Sequence, residues 1–276
     1  MAIPDFAVDL ALPSSAPGPV VVSQEALARY SSATGLQQIP GTPTLGGRDP
    51  RHPAIPYEGV DAPRVVIADG GTSLLTVPDD GSEPTVLFTG EDLSPPSIDR
   101  YGFIWTTQGG IAHEIVAVRA DGSLYRIDAT WLEGRRVSSV RLAVDGARAV
   151  VVSNTEDRTF VELVGVGRDS LGRPRSLGEP LRIAEFLDEV LDSTWAGPVS
   201  LVILGTTVAD DTVRVHRVSI GGLNTVLPLV ADAVAVASSR NERSVVVTNS
   251  SGALYLRSGA AWQMVVTGIA DPVYSG

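Results

Sequence analysis

Three histidines, His52, His113 and His216, are the imidazoles available as general bases or metal ligands, and no two of them stand at a short ligand spacing. His52 precedes Pro53 in a polar linker, His113 sits beside a Gly-Gly turn, and His216 lies mid-run in "TVRVHRV". Each reads as a surface or strand residue. The adjacent carboxylates Asp79-Asp80, Glu91-Asp92, Asp188-Glu189 and Asp210-Asp211 could chelate a cation or supply a glycosidase-type acid and base, provided a fold gathers them. They mostly stand where turns are expected, and aspartate favours turns because its carboxylate bonds nearby backbone. No serine occupies a Gly-x-Ser-x-Gly elbow, and no glycine-rich stretch has P-loop or dinucleotide spacing. Without cysteine there are no thiol nucleophiles, zinc thiolates or disulfides. No catalytic residue, cofactor or metal site is expected.

Two other residue types suit recognition. All 21 basic residues are arginine, against 32 acidic ones, and the formal net charge of −11 argues against nucleic acid or anionic lipid as partners. The local basic excess falls at Arg135-Arg136 and in "GRDSLGRPRSLG" (167–178), which carries Arg168, Arg173 and Arg175. These five arginines are the candidate partner-binding residues, with the second stretch read as a long polar loop whose tip would meet another protein. A solvated charged loop is the plainer alternative. Trp105, Trp131, Trp195 and Trp262 fall near strands or their ends, so gap-filling between packed sheets is their first reading and a recognition surface the second.

The elements that must position these residues are short β-rich runs punctuated by Gly, Pro, Asn and Asp. In "VSSVRLAVDGARAVVVSN" and its continuation, strands are expected at 137–143, 147–153, 159–168 and 179–184, a four-stranded meander. The layout recurs at 55–90, 95–132, 190–230 and 233–268, and "RSVVVTN" mirrors "ARAVVVSN". A period of about 40 residues with four strands per unit is the signature of a β-propeller, whose blades bury both faces only by packing in a ring. The remaining "PVVVSQ", "ALARYSS" and "LQQIPG" supply three strands, and the C-terminal "ADPVYSG" can add the fourth. An all-β propeller of six blades closed by both termini follows, with five or seven as alternatives. The propeller is assigned to 11–276, its first blade (11–50) weakly patterned, and residues 1–10 to a linker or the end of a preceding domain. Helical periodicity is limited to a short amphipathic turn at 183–191. The N-terminus has no secretion-signal pattern, and no run is long enough to span a bilayer.

Four segments, "LSPPSIDRYGFIWT" (93–106), "VSSVRLAVDGARAVVVS" (137–153), "VGVGRDSLGRPRSLGEP" (164–180) and "ERSVVVTNSSGALYLRSGAAWQ" (242–263), together with the terminal "DPVYSG", resemble the β-propeller domain of the actinobacterial lipoprotein LpqB family. The resemblance runs from about residue 55 to the end and more weakly over the first 50. It implies a lipoprotein with a signal sequence, a lipidated cysteine and a preceding domain, so this chain is expected to be a soluble, monomeric fragment of an extracytoplasmic, membrane-anchored protein. It further implies association with the extracellular domain of the sensor histidine kinase MtrB, hence with two-component signalling in cell-wall homeostasis and division, and it supplies no catalytic residues. Two alternatives stay open: an envelope carbohydrate-binding or hydrolytic propeller with a carboxylate-lined channel mouth, or a spacer for the domain before it.

Overall fold

The computed structural model of the protein describes residues 20–23, 26–31, 35–38, 50–55, 66–78, 82–109, 114–239 and 244–273. They form six antiparallel sheets. Blade 2 holds strands Pro50–Ala54, Val66–Asp69, Ser73–Thr76 and Thr85–Thr89. Blade 3 holds Ser97–Ile98, Ile104–Gln108, Glu114–Val118 and Leu124–Arg126. Blade 4 has Arg136–Leu142, Arg148–Asn154, Thr159–Arg168 and Pro174–Leu177. Blade 5 has Leu187–Trp195, Ser200–Thr207, Asp210–Ser219 and Asn224–Val226. Blade 6 has Ala233–Ser238, Val245–Asn249, Leu254–Ser258 and Ala261–Val266. His52, read as part of a linker, belongs to the first strand of blade 2.

Blade 1 is built from both ends of the chain. Its strands Val20–Ser23, Leu27–Ser31 and Gly35–Gln38 are joined by Ile269–Val273, which pairs with the first of them in the register Val20↔Val273 and Ser23↔Ile269. The closing strand takes the inner position that the first strand takes in every other blade, lying against the first strands of blades 2 and 6. A closed ring leaves no inner edge with unpaired backbone groups.

Unbroken apolar runs become intelligible in this arrangement. Side chains alternate across a strand, and each blade has a neighbour on both faces, so both sets must be apolar. In blade 4, Ala149 and Val151 join the core shared with blade 3, while Val150 and Val152 join the core shared with blade 5. Blade 5 divides likewise: Leu201 and Ile203 face blade 4, Val202 and Leu204 face blade 6. Six such clusters fill the six seams.

Two local expectations are corrected. The fourth strand expected at 179–184 lies earlier: Pro174–Leu177 pairs with the far half of Thr159–Arg168, and within the expected span only a two-residue piece, Leu181–Arg182, is strand, paired with Glu162 and Leu163. The interruption is Gly178-Glu179-Pro180, where proline can donate no ladder bond. The "long loop" of 167–178 is therefore an ordered hairpin. The amphipathic turn at 183–191 is instead mostly strand, Leu187–Trp195, whose register against its partner shifts twice, between Leu187 and Val190 and between Val190 and Asp192. Bulges stretch the apolar spacing from two residues to three or four, which mimics a helix in one dimension. They also explain Gly205: a Cβ there would collide with the Glu189 carbonyl oxygen.

Inner strands are tied by polar bonds as well. Arg141 of blade 4 donates to the Pro96 carbonyl (3.1 Å), the Ser193 carbonyl (3.0 Å) and Asp192 Oδ1 (3.2 Å), and Asp192 Oδ2 accepts the Val236 N–H of blade 6 (2.9 Å). One guanidinium and one carboxylate thus link blades 3 to 6.

Candidate interaction faces

The turn between the first two strands of blade 3 reads "SIDRYGFIW", and its organiser is Asp99. Oδ1 accepts the backbone N–H groups of Tyr101 (2.8 Å) and Phe103 (3.0 Å), and Oδ2 accepts Trp105 Nε1 (2.9 Å). Arg168 Nη2 completes the set at 2.6 Å from Oδ2. The carboxylate is fully buried and its four donors satisfy it. Arg168 also donates to the carbonyls of Gly146 and Gly172, each at 3.0 Å, and its guanidinium carbon lies 4.3 Å from the Tyr101 ring centroid. It is a fastener between blades 3 and 4, with a side chain 11% exposed.

Tyr101 is the consequence visible from outside. The residue is 42% exposed; its ring is backed by the Arg168 guanidinium and flanked by Gly172, while Arg119 Nη2 donates to its carbonyl (3.4 Å) and the Arg100 guanidinium lies 5.6 Å from its ring centroid. Gly146, at φ +65°, leaves the room this packing needs, since a Cβ would come within 2.8 Å of Arg100 and 3.0 Å of the tyrosine ring. Beside it stands the hairpin tip at 169–172. Asp169 Oδ1 accepts the N–H groups of Leu171 and Arg173, both at 2.9 Å, and Oδ2 pairs with Arg175 at 3.0 Å. The Arg173 backbone bond first, and the Leu171 and Arg175 bonds with it, hold the Asp169 carboxyl below the usual carboxylate range. Leu171 at the tip is 69% exposed.

The five arginines singled out in the sequence do not form one surface. Arg168 is largely enclosed in the clamp, Arg173 is half-buried beside the tip, and Arg175 is exposed. Arg135 and Arg136 lie at the opposite end of blade 4, because Arg136 pairs with Asn154 and Asn154 with Thr159, whereas Arg168 ends the ten-residue strand that Thr159 begins. At about 3.4 Å per residue that is roughly 30 Å. Arg136 is exposed and 4.0 Å from Asp92.

Arg135 belongs to a second cluster. It donates to the buried Glu162 at 2.9 Å and stacks 4.1 Å from the Phe160 ring centroid. Around the same ring stand Arg182 at 4.8 Å and Arg158 at 5.7 Å. Arg158, Thr159, Phe160, Val161, Arg182 and Glu185 contribute to the lining of a shallow depression there.

The tryptophans serve the seams. Trp105 caps Asp99, Trp195 Nε1 donates to the Arg141 carbonyl (2.8 Å), Trp262 Nε1 donates to the Pro228 carbonyl (2.7 Å), and Trp131 packs on the blade 3–4 core. His216 is buried in blade 5 with its ring 5.3 Å from that of Phe186, and desolvation pushes its pKa down. His113 and Asp79-Asp80 lie outside the described residues. Glu91-Asp92 lie between blades 2 and 3, whereas Asp188-Glu189 and Asp210-Asp211 both stand in blade 5. Among the described residues no three carboxylates or histidines converge as a metal site.

Sequence reasoning missed Asp99, Tyr101 and the Phe160 cluster. A signal for Asp99 was present: "DRYG", "DSLG" and "NSSG" at 99–102, 169–172 and 249–252 are the same turn. In each, the glycine has positive φ and donates to the first residue's carbonyl, and the first side chain accepts the N–H four residues on. The Phe160 cluster had none, because its arginines come from three separate connections.

Similarity to known proteins agrees with this architecture. A gluconolactonase from Xanthomonas campestris is 16% identical with a TM-score of 0.62, the match covering 95% of this chain and 90% of that one. A putative TolB from Agrobacterium tumefaciens is 14% identical over 78% of this chain and 81% of its own, with a TM-score of 0.55. At such identities the likeness concerns the fold alone. Lipoprotein LpqB of Streptomyces avermitilis is 28% identical over 193 residues, 67% of this chain and 31% of that protein, so the chain spans about a third of its relative's length. Residues 25–275 match the model of the lipoprotein LpqB β-propeller domain, and the chain belongs to that family.

Proposed function

We propose that the chain is the non-catalytic protein-interaction module of a cell-envelope lipoprotein and that it associates with the extracellular domain of the sensor histidine kinase MtrB, modulating two-component signalling. The observation that carries this reading is the face around Tyr101: an exposed, rigidly held tyrosine beside an exposed leucine and several arginines, on a chain of the LpqB propeller family. Tyrosine and arginine dominate binding energy at protein interfaces, and a ring already fixed in place loses little entropy on docking.

Arg173 and Arg175 contact the partner in this reading, Arg168 positions the tyrosine, and Arg135 and Arg136 lie outside the face. A propeller can shift a sensor between signalling states only by binding one of them more tightly, with a coupling of roughly 1–3 kcal/mol. Calorimetric titration against the purified kinase ectodomain tests it. Binding that weakens about tenfold or more in Tyr101→Ala, and less in an Arg173→Ala, Arg175→Ala double variant, is expected. An ectodomain that binds neither this chain nor the full-length lipoprotein refutes the association, and equal binding by Tyr101→Ala refutes the face.

A further inference from the structure

At the end of blade 4 away from Tyr101, three guanidinium groups converge on one phenylalanine. Arg135 comes from the connection between blades 3 and 4, Arg158 from the hairpin turn at 154–159, and Arg182 from the connection leading to blade 5. Their carbons lie 4.1, 5.7 and 4.8 Å from the Phe160 ring centroid. Three like charges around one ring repel each other unless anions compensate them.

The compensation present is incomplete. Glu162, buried beside the ring, is bonded to Arg135 at 2.9 Å and stands 3.9 Å from Arg182. Glu185, 64% exposed on the rim, reaches Arg182 only at 3.9 Å. Arg158 is exposed and has no carboxylate within 4 Å among the described residues. Within 4 Å the three guanidinium groups meet two carboxylates among the described residues, of which only Glu162 is hydrogen-bonded, through Arg135; Glu156 and Asp157, which precede Arg158 in the turn, stand beyond that distance. The arginines with donors to spare, Arg158 and Arg182, both line the depression whose wall includes Phe160.

We infer that this depression is a carboxylate-binding site, in which Arg158 and Arg182 take one acidic side chain of a partner protein over Phe160. The two guanidinium groups supply forked N–H donors matched to a planar carboxylate, and stacking on the ring restricts how they tilt. Glu185 on the rim sets the preference for one negative charge over two, since a phosphate dianion meets its repulsion twice over. The incoming carboxylate replaces Glu185 as the neighbour of Arg182 and gives Arg158 the anion it lacks. The site is independent of the Tyr101 face and of the identity of the partner proposed there.

The test follows the arginine Nε–Hε resonances of the full chain by NMR during titration with a blocked Gly-Glu-Gly tripeptide, with blocked Gly-Gln-Gly, with acetate and with inorganic phosphate. Saturable shifts at Arg158 and Arg182 are expected with the glutamyl peptide and with acetate, and not with the glutaminyl peptide. Affinity should fall about tenfold in Arg158→Ala and again in Arg182→Ala, and remain unchanged in Arg126→Ala, which alters an exposed arginine of the outer strand of blade 3, with the rest of each spectrum retained. Linear, unsaturated shifts, equal affinity in the variants, or phosphate binding more tightly than acetate each overturn the inference. So does saturation by acetate with none by the glutamyl peptide, which would restrict the site to free acids.

Discussion

Replacing Arg168 by leucine should cost stability well beyond that of an ordinary surface charge. Asp99 is fully buried, and Arg168, at 2.6 Å, is its one cationic partner among the described residues. Breaking a buried pair from one side costs about 3–5 kcal/mol, because the remaining charge stays desolvated. Three N–H donors from Tyr101, Phe103 and Trp105 still hold the carboxylate, which places the expected loss near the lower bound, about 3 kcal/mol. For a domain of this size that is a fall of roughly 6–12 °C in Tm. Scanning calorimetry of wild type, Arg168→Leu, Asp99→Asn and the double variant reads both the loss and the coupling. The double variant should be less destabilised than the sum of the singles, since no unpaired charge is left. Arg175→Ala, which removes a surface pair made by a 59% exposed arginine, should stay within about 0.5 kcal/mol. An Arg168→Leu protein melting within about 1 °C of wild type would refute the clamp.

Three further outcomes are expected. Gly205→Ala should destabilise by about 2 kcal/mol or more, because the new methyl meets the Glu189 carbonyl across the bulged strand pair; a urea midpoint equal to wild type would show that the bulge relaxes freely. Stability should fall as pH drops below about 6.5: burial lowers the His216 pKa, so the unfolded chain takes up a proton before the folded one does, and the stabilisation present above 6.5 is lost towards the folded value. A His216→Gln variant should lose less stability between pH 7.5 and 5.5, and parallel losses would remove His216 from the account. Ending the chain after Gly268 deletes the strand Ile269–Val273 and bares the edge of Val20–Ser23, so the truncated protein should aggregate or unfold; a monomer with an unchanged circular dichroism spectrum and Tm would contradict ring closure by the C-terminus.

Much of the architecture was readable along the chain, because what specifies a blade is local. Tight turns announce themselves through Asp, Asn and Gly, as at 99–102 and 249–252, and the recurrence of about 40 residues counts the blades. The runs "VVVS" and "VVVT" revealed strands buried on both faces, and the unmatched patterns at the two ends required each other to complete a sheet. Reading failed at 183–191, where two bulges broke the two-residue alternation, and at 179–184, where the fourth strand lies before Gly178 and Pro180 and only Leu181–Arg182 pairs after them.

The functional surface was decided by the tertiary structure. Arg168 looked like one of several loop cations, and only the docking of blade 4 on blade 3 sets it against Asp99, 69 residues away, turning a free charge into a clamp and leaving Tyr101 as the exposed group. Arg135 and Arg168 were grouped as candidate contacts of one partner, and the length of one extended strand separates them to opposite ends of blade 4. Sequence determined the elements because turn chemistry and side-chain alternation act over a few residues. The sites lay beyond its reach because charges pair across seams between blades, and no local pattern records which residue faces which.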